Sequence, residues 1–436
     1  MITQVSSSLY HQLTTVFDDG LAIKGDLEPL ASLRRNAFAR FQETGFPTLK
    51  DEDWKYTNLQ PLLSKNYLLR DNLPGKSVSI EKAFIKGLNP YKLVLVNGHF
   101  RTDLSDVVDE QGVSIYSIED IHQHKLSLRH FAQYADKTDN PLVALNTALH
   151  EGGLVIEIEK NITLRRSIQI IHVASSSETI FNQTRNLYLL GNNTKAEILE
   201  SFITDDIGLS LNNTVSEVVL EENAHLQHYY LQTANSQSSY LNHTEIHQKK
   251  HSLYNNYNCT FPGSAFIRNN INVRLDDSAV ESHLYGITLT AEDQLVDNHT
   301  IVDHRKPHCE SYEWYKNITQ NTSTAVFNGK IFVREDAQKT NAFQQNNNML
   351  IGEKSTIFSK PQLEIFADDV KCSHGCTMGQ FDDDALFYLR ARGISEEKAR
   401  VLLVHAFAFD VTEKFSSEPI REYVDHLIEE GLIIEQ

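Results

Sequence analysis

From residue 154 to about residue 370, short segments of alternating apolar and polar residues recur about every 10–15 positions. Alternation with a period of two predicts β-strands whose side chains point to opposite faces in turn. The predicted strands are 154–158, 168–171, 187–189, 196–199, 215–220, 225–231, 271–275 and 325–327. Asparagine pairs are expected to lie between strands, at 192–193, 212–213, 255–256 and 269–270.

Two architectures accommodate this run of strands. Short strands at regular spacing are typical of a sandwich or a barrel. A run of this length with recurring asparagine corners and few two-residue hairpin turns fits a stacked β-solenoid at least as well, because like residues line up in ladders from coil to coil. The strand spacing alone leaves both folds open.

Helical patterns flank the strands on both sides. A first apolar stripe at helical spacing ends before Gly45 and Pro47, and residues 51–69 contribute a second stripe. One clear strand, 93–96, leads into an Asn97–Gly98 turn. The predicted regions are a mainly helical region over 1–90, a mixed α/β transition over 91–152, the β-core over 153–380 and a helical region over 381–436.

The last region contains three predicted helices with recognisable ends. Asp382 and Ser395 are placed to cap the first two helices, and Gly393 supplies a left-handed stop between them. Pro419 suits the first turn of the third, where a missing N–H costs nothing. Each helix has an apolar stripe, which it can bury on the body of the protein or on a partner. The sequence leaves both possibilities open.

Composition restricts the class of protein. A chain of 436 residues exceeds one compact core, so it forms either two or three domains or an elongated repeat. A formal charge of -18 opposes binding to nucleic acid or to anionic lipid. There is no apolar run long enough for a transmembrane helix and no secretory pattern at the amino terminus, and four cysteines indicate reduced thiols. We therefore expect a cytoplasmic protein without nucleic-acid or membrane partners.

Residues 367–380, with the sequence ADDVKCSHGCTMGQ, contain the most distinctive chemistry of the chain. In an extended segment Cys372, His374 and Cys376 project from the same face. Thiolates and imidazole suit zinc or an iron–sulfur cluster rather than calcium or magnesium. No second Cys-x-x-Cys follows to complete a structural zinc site, so the motif resembles half of a site. Packed cysteines beside a hydrogen-bonded histidine are the alternative.

Two further patterns point away from catalysis. His299, His304 and His308 with Cys309 have a loose ligand spacing, but His299 and His304 would lie on opposite faces of a strand, which argues against zinc and favours packing in the solenoid or a subunit contact. A Gly-x-x-x-x-Gly-Lys-Ser/Thr phosphate loop is absent from the sequence, and we expect no ATP hydrolysis.

Several longer motifs resemble the SufB/SufD family of iron–sulfur cluster assembly proteins, in its SufD branch. The longest, KPQLEIFADDVKCSHG at 360–375, contains Cys372 and His374. The other matching motifs are FPT at 46–48, DEDWKYT at 51–57, FNGKI at 327–331, AQKT at 337–340, LFYL at 386–389 and RGI at 392–394. The matches run in the expected order from about residue 46 to about residue 410.

The resemblance implies a right-handed parallel β-helix core with helical regions at both ends, and a non-enzymatic scaffold for iron–sulfur cluster biogenesis. It implies pairing with a SufB-type subunit through the β-helix and docking of a SufC-type ABC ATPase through the carboxy-terminal helices. The isolated chain is also compatible with a homodimer. Family complexes contain a reduced flavin, whose binding by this chain the sequence leaves open.

The resemblance also assigns His374 as a candidate iron or cluster ligand at the interface with SufB, where a transient cluster would be shared. Cys372 and Cys376 are further candidate ligands, and Cys376 departs from the smaller or branched residues that SufD relatives often have. SufB has a cysteine shortly before its Met-Leu-Ile-Gly motif. Here Asn346 stands at that position before Met349, which favours the SufD branch.

Two other functions remain to be weighed against this one. A stand-alone zinc-binding β-helix protein would use Cys372, His374 and Cys376. A β-helix carbohydrate enzyme of the pectate-lyase kind would need a cluster of acidic and basic catalytic residues and an export signal. Neither feature can be recognised in the sequence.

Overall fold

The computed structural model describes residues 7–20, 28–69 and 78–432. The α-helices are α1 Ser8–Asp18, α2 Leu30–Thr44, α3 Gln60–Leu63, α4 Lys125–His130, α5 Pro141–Leu149, α6 Asp383–Ala391, α7 Glu396–Thr412 and α8 Glu418–Gly431. The strands before the core and in its first half are β1 Tyr91–Val96, β2 His99–Phe100, β3 Val113–Ser117, β4 Leu154–Ile158, β5 Ile168–Ser176, β6 Ile180–Leu190, β7 Lys195–Ile207, β8 Ser210–Leu220, β9 His225–Gln232 and β10 Ser238–Gln248. The remaining strands are β11 Leu253–Thr260, β12 Phe266–Leu275, β13 Glu281–Thr290, β14 Leu295–His304, β15 Glu310–Thr319, β16 Thr324–Val333, β17 Asn341–Leu350, β18 Thr356–Ile365 and β19 Lys371–Gln380.

Successive strands of the core alternate between two sheets. Sheet A has the order β18-β16-β14-β12-β10-β8-β6-β4-β3, and sheet B has the order β19-β17-β15-β13-β11-β9-β7-β5-β1-β2. From β4 onward every pairing within either sheet is parallel, for example Gln344 of β17 with His374 of β19. The chain therefore winds through one strand of each sheet per coil. This confirms the predicted fold class of a β-solenoid core between amino- and carboxy-terminal helices.

The asparagine pairs occupy two kinds of position. Asn193 lies at a corner with φ 59°, and its amide joins a ladder with Asn161 and Asn223 of the neighbouring coils at 2.8 Å. The prediction that the other pairs lie between strands is wrong, since 212–213, 255–256 and 269–270 all lie within strands. There the amides bond from coil to coil, as Asn269 Nδ2 does to Asn298 Oδ1 at 2.9 Å.

Apolar side chains fill most of the space between the two sheets, in a continuous cluster from Leu93 to Ala367. Polar side chains are buried within it where they find partners. Glu200 accepts hydrogen bonds from His172 and His228 at 2.8 and 3.0 Å. Toward the carboxy-terminal end, Gln344 Nε2 donates to Glu313 Oε2 at 2.5 Å.

The two ends of the solenoid differ. At the amino-terminal end β2 and β3 are short, antiparallel to their neighbours β1 and β4, and finish the sheets. Phe100 and Val113 pack against the interior there. At the carboxy-terminal end β18 and β19 are the last strands of sheets A and B, and most of their side chains are partly or fully exposed. This end of the solenoid is open.

The described residues before 70 cover the outer face of sheet A, whereas Ala83 and Ile85 pack on sheet B. Helix α2 ends at Thr44 with Gly45 at φ 67°, as predicted. The prediction of a helical stripe over 51–69 is wrong, because this segment contains only the 3-10 turn Glu52–Trp54 and the single turn α3. Proline is tolerated only in the first turn of a helix, so α3 begins at Gln60, immediately before Pro61. Parts of the predicted helical region, 1–6, 21–27 and 70–77, lie outside the described residues.

A buried arginine fastens this segment to sheet A. The Arg268 guanidinium lies 3.8 Å from the centre of the Trp54 ring, and its Nη1 donates to Asp53 O at 2.8 Å and to Asp297 Oδ2 at 2.6 Å. Thr57 Oγ1 donates to the same carboxylate oxygen. Burial opposes ionisation of Asp297, but Arg268 and His299 lower its pKa to about 2. The carboxylate is thus charged and paired.

The three carboxy-terminal helices have the predicted caps, with Asp382 before α6 and Ser395 before α7. One stripe of α7 and α8 packs on the outer face of sheet B, where Val404 and Val424 join a cluster with Tyr229 and Tyr257. Tyr257 OH also donates to Lys414 O at 2.9 Å. Part of each apolar stripe is therefore buried on the same chain.

Within the described ranges, the structure contains no helix that is both long and apolar enough to cross a membrane.

Replacing Arg268 by alanine should loosen the amino-terminal segment. The change leaves the Asp297 carboxylate buried without its cation, which we expect to lower the free energy of unfolding by about 3–5 kcal/mol. Urea unfolding followed by tryptophan fluorescence measures this loss. The exposed Arg129→Ala serves as the matched control. Equal stability of the two variants would contradict the fastening role.

Replacing Glu313 by glutamine should change how stability depends on pH. Burial raises the pKa of Glu313 to about 7 from its ordinary 4.5. Wild-type stability should therefore fall, by up to about 3 kcal/mol, as the pH rises through this interval, because the folded state disfavours the ionised form. Glu313→Gln keeps an acceptor for Gln344 and should remove this fall.

The measurement is urea unfolding of both chains at about pH 5 and about pH 8, with the exposed Glu159→Gln as a control. The variant should gain stability relative to the wild type at the higher pH. A gain of the same size at both values would show that Glu313 does not titrate in this range.

Candidate functional site

Residues 371–380 form β19, the last strand of sheet B, in parallel register with β17. Cys372, His374 and Cys376 pair with Ala342, Gln344 and Asn346. These β17 residues are buried in the solenoid, and Cys372 packs against the interior cluster. The three predicted ligands therefore share the inward face of the strand. Because no coil follows, this face is open to solvent beyond Cys372.

The three side chains have different surroundings. Cys372 is partly buried, and burial raises the pKa of its thiol. Cys376 is exposed, and its Sγ lies 3.2 Å from Ser359 Oγ and 3.7 Å from Asn348 Nδ2. The His374 side chain is exposed on the same edge. Of the three, His374 is the group most free to bind something outside the chain.

The strand keeps these groups apart. A strand rises about 3.3 Å per residue, so alternate residues on one face are about 6.6 Å apart. Ligand atoms of a structural zinc site must all approach the ion to about 2.0–2.3 Å. Among the described residues, His, Cys, Asp and Glu side chains are nowhere grouped in threes that could hold a metal ion. The edge thus presents the three candidate ligands one by one, and on their own they do not form a closed metal site.

The second histidine pattern lies elsewhere. His299 is on the outer face of sheet A with Nε2 2.9 Å from Asp297 Oδ1. His304 is buried, its Nε2 2.8 Å from Ser311 Oγ, and burial lowers its pKa to about 4. Their opposite orientation and separate partners agree with the prediction that this run is a packing feature.

The contacts that two residues of β17 make with β19 were missed from the sequence, although Asn346 itself had been noted for its position before Met349. Asn346 lies beneath Cys376, and its Oδ1 accepts from Asn348 Nδ2 at 2.7 Å and from Ser359 Oγ at 2.6 Å. Gln344 lies beneath His374 in the same way. Only the register between coils reveals these neighbours, because about thirty residues separate them from β19 along the chain. The sequence of 341–350 has no apolar alternation that could have located them, because Phe343 is exposed while Gln344 and Asn346 are buried.

A separate exposed surface lies on the carboxy-terminal helices. Phe387 and Tyr388 of α6 and Leu402 and Phe409 of α7 are exposed apolar side chains, with Phe387 74% exposed. These residues face away from the stripe that packs on sheet B. The helices therefore have some apolar side chains packed on the chain itself and others that are exposed.

Comparison with known proteins places the chain in a family. A family model described as the SufBD core domain of SUF system FeS cluster assembly matches residues 172–407, and one for the SufBD protein N-terminal region matches residues 6–170. An iron–sulfur cluster assembly SufBD family protein of Synechocystis sp. is 30% identical, over 88% of this chain and 87% of its own.

Two relatives are named iron–sulfur cluster assembly protein SufD. The Escherichia coli protein is 29% identical, with 87% of this chain and 88% of its own covered. The Bacillus subtilis protein is 25% identical, with 92% of this chain and 93% of its own covered. The chain belongs to the SufBD family of iron–sulfur cluster assembly proteins and is SufD-like, as its motifs indicated.

Proposed function

We propose that this chain is the non-catalytic SufD-type subunit of an iron–sulfur assembly complex, and that it presents His374 to a nascent cluster at an interface with a SufB-type subunit. The observation on which this depends is the position of His374, exposed on the inward face of the last strand of an open solenoid. The cluster is the cargo of the complex, held there only in passing.

The open end is suited to pairing with another β-helix. Strands β18 and β19 are edge strands, and an edge presents unpaired backbone groups that template association with a further strand. Exposed apolar side chains accompany them, with Ile365 41%, Phe366 60% and Met378 54% exposed. A SufB-type solenoid would cover these groups and bring its own ligands to the same seam.

The chemistry of His374 agrees with a ligand used in transfer. A neutral imidazole binds iron through one ring nitrogen while the other is held by an acceptor in the protein. Asn346, in place of the cysteine of SufB, has no sulfur to accept or pass on. The chain would thus contribute a nitrogen ligand, and its partner would contribute the sulfur chemistry.

The exposed apolar residues of α6 and α7 support docking of a SufC-type ATPase. Aromatic anchors provide much of the binding energy in protein interfaces. Phe387 and Tyr388 occupy adjacent positions on a helix whose Leu386 is buried on the chain itself. A partner would cover the exposed pair without displacing the buried contact.

Replacing Phe387 and Tyr388 together by alanine should weaken ATPase binding at least tenfold, because two exposed aromatic anchors are lost. Binding is measured by titrating the purified ATPase against the variant and the wild type. Phe84→Ala, at an exposed phenylalanine outside these helices, is the control. Binding of the SufB-type subunit should stay unchanged. An ATPase affinity equal to that of the wild type would exclude docking through α6.

His374→Ala should reduce cluster assembly on the reconstituted complex at least tenfold, because a ligand to iron is lost. The chain should still fold, because little apolar volume is lost, and stability should fall by no more than the roughly 1–3 kcal/mol that a buried polar partner of the ring would cost when left unpaired. Cys376→Ala should have a smaller effect on assembly, and Cys372→Ala an intermediate one.

Cluster formation is measured by absorption spectroscopy under anaerobic conditions, and thermal unfolding is measured on the same preparations. The control is His426→Ala, at an exposed histidine of α8. Assembly by His374→Ala at the wild-type rate would show that the proposed ligand is wrong.

A further inference from the structure

His374 is the outermost of three side chains that are stacked in a row along the solenoid axis. Glu313 on β15, Gln344 on β17 and His374 on β19 are register partners on three consecutive coils. Neighbouring strands lie about 4.8 Å apart. Gln344 is therefore the side chain directly beneath the imidazole, and Glu313 is the next one down.

We propose that Gln344 is a positioning residue for His374: its amide oxygen, which has no donor among the described residues, is the acceptor for the ring nitrogen that turns toward the interior, and Glu313 fixes the orientation of that amide. The proposal rests on the proposed function of His374 as an iron or cluster ligand. It adds the residues that determine which ring nitrogen faces the partner.

The orientation of the Gln344 amide is set from below. Its Nε2 donates to Glu313 Oε2, and the two residues are 2% and 1% exposed. With the amino group directed at Glu313, the amide oxygen remains for other donors. Gln344 Oε1 is buried and accepts no hydrogen bond from any other described residue. A buried acceptor of this kind is unfavourable until a donor reaches it.

On the facing sheet A, the absence of a side chain at Gly329 leaves room for the side-chain amide of Gln344. A Cβ atom at Gly329 would lie 2.2 Å from Gln344 Nε2 and 2.7 Å from Phe327 Cζ. Gly329 does not have a positive φ, so space and not backbone conformation requires glycine there. Gly329 belongs to the FNGKI motif at 327–331, one of the features that resembles the family. The motif thus shapes the cavity in which Gln344 is held.

The neighbours of Gln344 on β17 are not equivalent acceptors. Asn346 Oδ1 already accepts from Asn348 and Ser359, and Asn346 Nδ2 donates to Tyr315 O at 3.1 Å. On the other side Ala342 has no polar side-chain atom. Gln344 is accordingly the inward residue of β17 beside His374 whose side-chain oxygen is free to accept.

An amide oxygen suits this task. A histidine that binds a metal through one nitrogen commonly donates its other N–H to an oxygen acceptor, which fixes the tautomer and the ring plane. Glu313 Oε2 accepts from Gln344 whether or not the carboxyl carries a proton, so the amide keeps its direction at every pH near neutrality. The ring nitrogen that faces out of the solenoid is then left without a proton and can bind iron.

The test compares four chains: wild type, Gln344→Met, Gln344→Glu and Gln345→Met. Methionine has the length of glutamine without an acceptor oxygen, whereas glutamate keeps one. Gln345 is the outward-facing neighbour and serves as the matched control. The first readout is the tautomer of His374 in the isolated chain, from the ring ¹⁵N shifts of histidine-labelled protein, assigned with His374→Gln.

Wild type, Gln344→Glu and Gln345→Met should show one dominant His374 tautomer, and Gln344→Met should show a mixture. The second readout is cluster assembly on the complex, which should fall on the order of 10–100-fold in Gln344→Met and recover in Gln344→Glu. Thermal unfolding identifies any variant that fails to fold, and Gly329→Ala, which displaces the amide while leaving Gln344 in place, then replaces Gln344→Met.

The outcomes separate this proposal from the proposed function. An unchanged His374 tautomer in folded Gln344→Met or Gly329→Ala overturns the positioning role, whatever the assembly rate. A tautomer change combined with wild-type assembly by His374→Ala leaves the hydrogen bond standing but removes His374 as a ligand.

Discussion

Backbone pairing between successive coils is the interaction on which this structure depends. Every strand from β5 to β17 bonds to a parallel strand on each side. Buried N–H and C=O groups must be paired, and each coil supplies the partners of the one before it. In such an arrangement the terminal strand of each sheet always has one edge without a backbone partner. The chain closes the first coil itself with β2 and β3, and it leaves the last coil open.

The candidate site follows from that asymmetry. Along the core, inward-facing positions are occupied by packed or hydrogen-bonded side chains, and on β19 the same positions face outward past the end. A histidine there is both accessible and supported from beneath by ordered layers. Gln344 and Glu313 are the part of that support that lies directly beneath the histidine. The same coil geometry thus creates both the open edge and the exposed histidine on which the proposed function depends.

Much of this architecture could be predicted from the sequence, because alternation and capping are local signals. The strand 154–158 and the caps Asp382 and Ser395 were correctly located. Alternation also put Cys372, His374 and Cys376 on one face. Alternation could not show that Cys372 is packed while His374 is exposed. That difference depends on β19 being the last strand of its sheet, which is a property of the whole stack of coils. The asparagines at 269–270 were misassigned because their amides bond between coils, a long-range partnership that outweighs their low strand propensity.

The fastening of the amino-terminal segment has a consequence for synthesis of the protein. Trp54 and Thr57 contact Arg268 and Asp297, and Tyr56 stacks on Phe358 at 4.2 Å. Residues 52–57 leave the ribosome long before the strands on which they pack have been synthesised. Chains generally fold from the amino terminus during translation, but this segment must wait until the carboxy-terminal coils have formed. Its docking marks a completed solenoid, so a truncated chain would expose Trp54 to the proteases and chaperones that survey nascent proteins.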